Sequence, residues 1–228
     1  MINIQLDKIT IHLVGSGQVS ASNDCCVYLV SDFNASILVD AGAGSEESIK
    51  AIIHNIKATE KPAQVKYILV THAHIDHVGG LKDIKWYLPQ AKIIAHAYAA
   101  NVIENEDAIL SAAKWYQTSL LSVDIDIKIT QDYTIELMGG VFDIILTPGH
   151  TPGSVVGLLT TPKERVLFGQ DIHGPFLPKF KSDISQWRQS MEKILDFQPD
   201  YLCEGHFGII KGKKKVKEFV KRYLSQFS

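Results

Sequence analysis

Three histidines and an aspartate crowd one short stretch of the chain. The segment THAHIDHVGG, residues 71–80, follows the apolar run YILV and contains His72, His74, Asp76 and His77. Imidazoles this close repel one another when protonated and compete for partners when neutral. Imidazole and carboxylate are also ligands that divalent transition metals prefer. The segment therefore predicts part of a metal site, with two ions suggested rather than one.

Further candidate ligands stand at the ends of apolar runs far along the chain. FDIILTPGH ends in His150, RVLFGQD in Asp171 and YLCEGH in His206. Each lies near a glycine, which allows close approach of the backbone at a crowded site. Because one carboxylate can bind two ions, Asp171 is the natural candidate for a bridging ligand. We expect ordinary structural roles for His12, His54 and His96.

The elements that must position these residues alternate between short β-branched runs and helical patterns. Helices are predicted at 45–57 with Ser45 as the cap, at about 97–120, at 184–195 and at 213–227. Strands are predicted at 11–14, 27–30, 36–42, 67–72, 92–96, 125–130, 134–138, 142–150, 154–160, 165–171 and 201–206. Hairpin-like succession of strands within each half favours two mixed, mainly antiparallel sheets with helices outside.

The length and composition bound the organisation and the partners. At 228 residues, with 46% hydrophobic residues and no linker or repeat, the chain is expected to form a single domain over 1–228. A net charge of -2 gives no general attraction to nucleic acid or to an anionic membrane. We find no secretory signal pattern and no apolar stretch long enough to span a bilayer. A cytoplasmic location is therefore expected.

The three cysteines also favour a cytoplasmic location. Cys25, Cys26 and Cys203 cannot all pair within one chain, and adjacent Cys25 and Cys26 make a poor disulfide on geometric grounds. We expect all three to be small buried residues in a reducing compartment.

The residues resemble the metallo-β-lactamase superfamily. THAHIDHVGG is similar to its HxHxDH signature, TPGHTPGS to the block with the next histidine, FGQD to the block with a bridging aspartate, and EGH to the last histidine. The resemblance covers nearly the whole chain. It implies a four-layer αββα sandwich, an α/β fold, around a binuclear metal centre.

Carried over position by position, the resemblance implies the ligands of each ion. His72, His74 and His150 would bind the first ion, Asp76, His77 and His206 the second, and Asp171 both. The ions would be two divalent metals, zinc first, with iron or manganese as alternatives. No other cofactor is implied.

Among the branches of the superfamily, the glyoxalase II-like thioesterases and the lactonases have the most similar motif sequences. TPGHTPGS is shared with both, whereas IHGPF after Asp171 and Glu204 in place of a common proline are departures. β-Lactamases of the superfamily generally lack the bridging aspartate. We also expect no C-terminal helical domain for glutathione, so glutathione thioesters are disfavoured as substrates.

The expected reaction is hydrolysis of a small-molecule ester, thioester or lactone. Two divalent ions lower the pKa of a shared water to about 7 and polarise the scissile carbonyl, which gives a metal-bridging hydroxide as nucleophile. Asp76 is a candidate catalytic residue because it can orient the hydroxide or receive a proton. His173, two residues past Asp171, is a second candidate on the substrate side, unless it only hydrogen-bonds to backbone.

Other functions fit the same ligands. A phosphodiesterase or nuclease suits a binuclear site, although the balanced charge and the lack of a recognisable RNA-clamping insert oppose it. A mononuclear-iron persulfide dioxygenase would need fewer ligands, and a non-catalytic metal protein stays open. We expect a small-molecule substrate, no nucleic-acid partner and no membrane, and leave a homodimer open.

Two segments are candidates for the walls of the cleft. The loop VGSGQVSASND is expected along its mouth, and the helical region 97–120 is expected as the other wall. Trp115 and Tyr116 are candidate apolar contacts there, although core packing is the more expected role for either ring taken singly. The basic tail 213–227 has apolar residues at helical spacing, which predicts an amphipathic helix with a solvated lysine face.

Overall fold

The computed structural model describes residues 2–32, 34–59 and 65–227. Within these ranges the chain forms two β-sheets that pack face to face, with α-helices on the two outer faces. This is the expected αββα sandwich. The predicted hairpin from 27 to 42 includes Phe33, which lies outside the described residues.

The first sheet keeps its strands in chain order. Its first four strands pair antiparallel and its last four pair parallel, so the sheet is mixed. The strands are β1 (Asn3–Gln5), β2 (Thr10–Gly15), β3 (Val27–Ser31), β4 (Ser36–Val39), β5 (Val65–Leu69), β6 (Lys92–His96) and β7 (Ile127–Ile129).

The second sheet is built from the later half of the chain. Its strands are β8 (Tyr133–Leu137), β9 (Gly140–Leu146), β10 (Val155–Thr160), β11 (Arg165–Gly169), β12 (Tyr201–Glu204) and β13 (Gly208–Lys211). Strands that are consecutive in the chain lie side by side, with β8 at one edge of the sheet and β13 at the other. Neighbouring strands are antiparallel except β11 and β12, which are parallel because a helix connects them. The strands β1 and β13 have no counterpart among the predicted strands.

Helices cover both sheets. They are α1 (Glu46–Lys57), α2 (Ile75–Val78), α3 (Leu81–Tyr87), α4 (Ala97–Glu104), α5 (Ile184–Asp196) and α6 (Lys213–Gln226), with a short 3-10 helix at Pro178–Phe180. Ser45 caps α1 as predicted, since its side chain accepts a hydrogen bond from the Ser48 N–H at 3.1 Å. The sequence did not lead us to predict α2 and α3.

Alternating strand residues separate the cores. Tyr28 and Val30 of β3 face the core between the sheets, where they meet Phe142 and Phe168 of the second sheet. Leu29, one residue away, faces the outer core under α1, α3 and α4. The third core lies under α5 and α6 around the fully buried Trp187. The metal candidates lie at one end of this sandwich, where the strands stop.

The predicted helix over about 97–120 is wrong beyond residue 104. Helix α4 ends at Glu104, and turns follow it. Glu106, Ala112 and Gln117 have φ values of 53°, 60° and 54°, in the left-handed region where a right-handed helix cannot continue. The Asp107 carboxylate accepts hydrogen bonds from the N–H groups of the second and third residues after it, which stabilises a turn in place of a helix.

The expectations for the cysteines and for the basic tail are met. Cys25, Cys26 and Cys203 are free and buried, and the tail forms α6, with buried Val216, Val220 and Tyr223 on one face. None of the helices in the described ranges is long and apolar enough to cross a membrane.

Candidate metal centre

Backbone hydrogen bonds hold the segment that carries the histidine cluster between the two sheets. The Val70 N–H donates to the Ile94 carbonyl at 2.9 Å, as in a parallel sheet extended past β5. The Val155 N–H, at the start of β10, donates to the Thr71 carbonyl at 2.8 Å. His72 therefore emerges from a backbone fixed on both sides.

The rest of the motif forms a one-turn helix where we expected only a tight loop. His74 lies at the N-terminal cap of α2, and the helix presents Asp76 and His77 from its first turn. A Cβ atom on Gly79 would overlap the Ala43 backbone, so the close approach of this turn to the end of β4 requires glycine there. The glycines of the motif thus allow the backbone to pack closely, whereas the histidines and the aspartate are the residues available as ligands.

The four residues of the first group of candidate ligands are all buried. His72, His74, His150 and Asp171 each offer one ligand atom, and these atoms lie within 4.8 Å of one another. His74 Nδ1 and His150 Nε2 are 3.0 Å apart. Asp171 Oδ2 lies 3.6 Å from His150 Nε2 and 3.9 Å from His72 Nε2.

The second group shares Asp171 with the first. Asp76, His77, Asp171 and His206 again bring ligand atoms within 4.8 Å of one another. Asp171 Oδ1 lies 3.2 Å from Nε2 of both His77 and His206, and Asp76 Oδ2 lies 3.3 Å from His206 Nε2. Only His206 of this group is open to solvent, so the cluster has one accessible side.

The structure thus brings together the seven residues predicted from the sequence as metal ligands, in two groups joined by Asp171. The three histidines given ordinary roles lie outside both groups. His96 accepts a hydrogen bond from the Tyr98 N–H and so caps α4, His54 is exposed on α1, and His12 is buried in β2.

Unpaired polar atoms show that these residues suit a metal ion. Among the described residues, few buried side-chain nitrogen or oxygen atoms lack a hydrogen-bond partner, and half of those atoms belong to the first group: His72 Nε2, His74 Nε2, His150 Nδ1 and Asp171 Oδ1. Buried polar atoms are normally paired, because an unpaired one is costly. Of these atoms, His72 Nε2 faces Asp171, and Asp171 Oδ1 faces the second group. Buried imidazole nitrogens and a carboxylate in this arrangement fit divalent cations.

Asp40, at the end of β4, holds the second group in place. Its Oδ2 lies 2.7 Å from His77 Nδ1 and accepts a hydrogen bond from the Thr71 hydroxyl at 2.8 Å, while its Oδ1 accepts from the Thr71 N–H at 2.8 Å. A carboxylate at Nδ1 turns Nε2 of His77 toward the site.

A third group is not assigned a metal. Cys25, Asp40 and His77 also bring ligand atoms within 4.8 Å of one another. Burial raises the pKa of the Cys25 thiol far above its ordinary range, so the thiolate is disfavoured. The Asp40 carboxylate is already satisfied by Thr71 and His77.

The histidines of the first group are held neutral. Burial lowers the pKa of His74 to about 3 and that of His150 to about 4. Burial, together with the nearby His77, lowers the pKa of His72 well below its ordinary value. Neutral imidazole is the form that binds a metal ion.

The pKa values of the histidines in the second group are raised instead of lowered. Burial alone would lower the pKa of His206, but the adjacent Asp171 carboxylate raises it to about 10. Burial opposes the charged form of Asp171 too, yet His77 and His206 hold its pKa well below the ordinary value. In the metal-free protein these histidines therefore neutralise the carboxylates, and a bound cation would replace their protons.

A cavity of about 240 Å³ opens onto both groups. Its lining includes His74, Asp76, Asp171 and His206 from the two groups, with His173 and Tyr116 beside them. A neighbouring cavity of about 350 Å³ is lined by residues 21–23 and again by Tyr116. Part of the predicted loop 14–24 thus lies next to the cleft, and Tyr116 lines both cavities.

Aromatic residues form one wall of this cleft. The Phe180 ring lies 4.6 Å from the His74 ring, and Trp115 stacks on Phe180 with ring centroids 5.9 Å apart. The Lys179 ammonium lies 4.4 Å from the centre of the Trp115 ring. Burial, with the charge of Asp76, raises the pKa of Tyr116 to about 12, so its hydroxyl keeps its proton at neutral pH. The wall is apolar, with a positive charge at its rim.

His173 lines the cavity as the sequence led us to expect, but its partner is a side chain and not backbone. Its Nδ1 lies 2.9 Å from Oε1 of Glu204, which is fully buried. Sequence reasoning noted Glu204 as a departure from a common pattern and missed this contact. It also missed Asp40 and Phe180. The one available signal was the carboxylate of Asp40 directly after the apolar run SILV.

Comparison with known proteins agrees with this geometry. A model of the metallo-beta-lactamase superfamily matches residues 24–206. The Beta-lactamase-like protein 2 homolog of Drosophila melanogaster is 29% identical over 191 residues, which are 81% of this chain and 59% of the fly protein. The probable hydroxyacylglutathione hydrolase glo2 of Schizosaccharomyces pombe is 26% identical over 179 residues, 76% of this chain and 59% of that protein. This chain thus spans less than two thirds of either relative.

Solved structures share the fold. A metallo-beta-lactamase from Cronobacter sakazakii, a mutant in its HARLDQ motif, superposes with a TM-score of 0.77 at 22% identity, covering 96% of this chain and 92% of that one. Because the family model spans most of the sequence, the chain belongs to the metallo-beta-lactamase superfamily. The expected family and fold are confirmed, and the chain is a metallo-hydrolase family member with a His/Asp cluster able to bind metal.

Proposed function

We propose that this protein is a binuclear metal-dependent hydrolase that cleaves an ester, thioester or lactone bond in a small molecule. The observation that carries the proposal is Asp171, whose two oxygens face different groups of histidines. His72, His74 and His150 would bind one ion, and Asp76, His77 and His206 the other. Imidazole and carboxylate without thiolate suit zinc, and also iron or manganese.

When bound, two divalent ions supply a hydroxide at neutral pH and polarise the scissile carbonyl. The residues of the chain then orient the reactants. Asp76, whose Oδ2 lies 3.3 Å from His206 Nε2, faces the cavity and would accept a hydrogen bond from the attacking water. His173 would contact the substrate from the open side.

The cavity favours a small substrate. Its volume of about 240 Å³ accommodates an acyl group rather than a polymer, and Phe180 and Trp115 provide an apolar surface for that group. We therefore propose a small-molecule partner and no nucleic acid. A cytoplasmic location goes with this proposal, since free cysteines suit a reducing compartment.

A substrate panel tests the proposal. Zinc-, iron- and manganese-loaded protein would be assayed on carboxylic esters, thioesters, lactones and phosphodiesters. His72→Ala is expected to abolish activity, whereas His54→Ala, the same substitution on the exposed face of α1, is the matched control that keeps it. Cleavage of phosphodiesters alone would reverse the proposal in favour of a phosphodiesterase, and oxygen consumption with a persulfide would favour the dioxygenase.

A further inference from the structure

A groove lies between the last two long helices of the chain. It has a volume of about 510 Å³ and is lined by the end of α5, the loop after it and the first half of α6. Its floor is apolar, because the buried side chains of Ile194, Val216 and Val220 line it. We call it the α5–α6 groove. It shares no lining residue with the cleft at the metal centre.

A row of lysines follows one side of the α5–α6 groove. Lys213, Lys217 and Lys221 line it at four-residue intervals, which places them on one face of α6 over roughly 12 Å. Lys213 lies 3.6 Å from the Asp200 carboxylate. Lys217 and Lys221 are exposed, and neither forms an ion pair with another described residue. Asp196 is the one acidic residue among the described residues that line the groove.

The positive charge of the chain is concentrated at this groove. Residues 211–222 contain seven lysines and arginines and one glutamate, although the whole chain has a net charge of -2. Lysines four residues apart repel one another and weaken a helix, so the stability of α6 does not explain the row. Solubility does not explain it either, because charges scattered over the surface serve that purpose equally. The row therefore indicates an anionic partner.

The shape and the lining of the groove select the class of this partner. A bilayer surface is flat at this scale and a nucleic-acid backbone is polar, so neither matches a concave groove with an apolar floor. An extended peptide needs a strand edge for its backbone hydrogen bonds, and two helices with their connecting loop offer none. An α-helix satisfies its own backbone, and its side chains repeat along the axis at the spacing of the lysines on α6.

We propose that the α5–α6 groove binds an acidic amphipathic helix of a partner protein. Carboxylates at four-residue spacing would face Lys213, Lys217 and Lys221, and apolar side chains of the same helix would cover the groove floor. None of the helices in the described ranges has three carboxylates at this spacing, so a second copy of this chain does not supply the partner helix. The binding does not depend on the proposed hydrolase function, because the groove and the metal cleft have separate linings.

Synthetic peptides test the proposal by fluorescence polarisation with the full chain. The probe is a labelled, capped, alanine-based helix with a glutamate at every fourth position and a leucine after each of three glutamates. In one control peptide glutamine replaces each glutamate, and in the other serine replaces each leucine. The probe is expected to bind at least about tenfold more tightly than either control, since the ion pairs or the apolar contacts are lost. Equal binding of the probe and either control overturns the proposal.

Charge reversal locates the binding. Lys217→Glu/Lys221→Glu is expected to weaken binding of the probe at least about tenfold, because two attractive contacts become repulsive. Lys82→Glu/Lys163→Glu, at exposed positions outside the groove, is the matched control with the same change in net charge. An equal loss in both double variants overturns the proposal. If Lys217→Glu/Lys221→Glu fails to fold, Lys217→Ala and Lys221→Ala decide, each with a smaller loss expected.

Two further probes separate the classes of partner. A short oligouridylate, and vesicles of equal parts phosphatidylglycerol and phosphatidylcholine, are titrated against the same protein at the same salt concentration. Weaker binding of both probes than of the acidic helix supports the proposal. Tighter binding of the oligouridylate overturns it in favour of a nucleic-acid surface, and tighter binding of the vesicles overturns it in favour of a membrane surface.

Discussion

Metal-free protein is expected to lose stability steadily as the pH falls from about 6.5 to about 4. The cause is the buried first group, in which burial lowers the pKa of His74 from 6.5 to about 3 and that of His150 to about 4. The unfolded chain takes up protons at these residues over this range, and the folded chain does not. Acid therefore favours the unfolded state.

The magnitude follows from proton linkage. Each such imidazole contributes about 1.4 kcal/mol of lost stability per pH unit, so His74 and His150 together contribute about 3 kcal/mol per unit. His72, whose pKa is also lowered, adds to the slope in the same direction. Over the whole interval the loss reaches about 7 kcal/mol, comparable to the net stability of an ordinary domain. His206, whose pKa is raised to about 10, adds no slope here, because it is protonated in both states below its unfolded value of 6.5.

Urea unfolding of chelator-treated protein at a series of pH values measures this slope. His150→Gln removes one of the titrating groups and is expected to reduce the slope by about 1.4 kcal/mol per pH unit. His54→Gln, on the exposed face of α1, is the matched control that keeps the original slope. A slope near zero above pH 4.5, or an unchanged slope in His150→Gln, would refute the reasoning.

Three further predictions concern single positions. Asp40→Asn is expected to weaken zinc binding about 10- to 100-fold in chelator competition, because the carboxylate 2.7 Å from a ring nitrogen orients a ligand; unchanged affinity would contradict this. Gly149→Ala is expected to cost more than about 3 kcal/mol in urea unfolding, since φ is 135° and a Cβ would overlap the Trp187 backbone; a loss under about 1 kcal/mol would contradict it. Trp115→Ala is expected to raise KM a few-fold, because the ring stacks on Phe180 in the wall of the cleft. The free energy of unfolding is expected to stay within about 0.5 kcal/mol of that of the unaltered protein, because the ring is 54% exposed. A fall in kcat alone would count against the aromatic wall.

The candidate ligands were predictable because the signal for them is local. His72, His74, Asp76 and His77 lie within one motif, and each of the other candidates ends an apolar run beside glycine. The strands that deliver them were predictable for the same reason, since alternation and turn residues act over a few positions.

The supporting residues could not be found in this way. Asp40 contacts His77 across 37 positions, and Glu204 contacts His173 across 31. Such contacts depend on how the two sheets pack, and no local pattern encodes them. The predicted helix over about 97–120 was too long for a related reason. The helical spacing of apolar residues continues past Glu104, but left-handed residues and the turn at Asp107 end the helix. These tertiary and local-capping effects override the helical spacing.

The most direct test of the binuclear account is the metal content of protein purified without chelators. Inductively coupled plasma mass spectrometry is expected to find two divalent ions per chain in the unaltered protein. Asp171→Ala is expected to hold fewer than one, because Asp171 belongs to both groups. No metal in the unaltered protein after incubation with zinc, iron or manganese, or two ions in Asp171→Ala, would contradict the account.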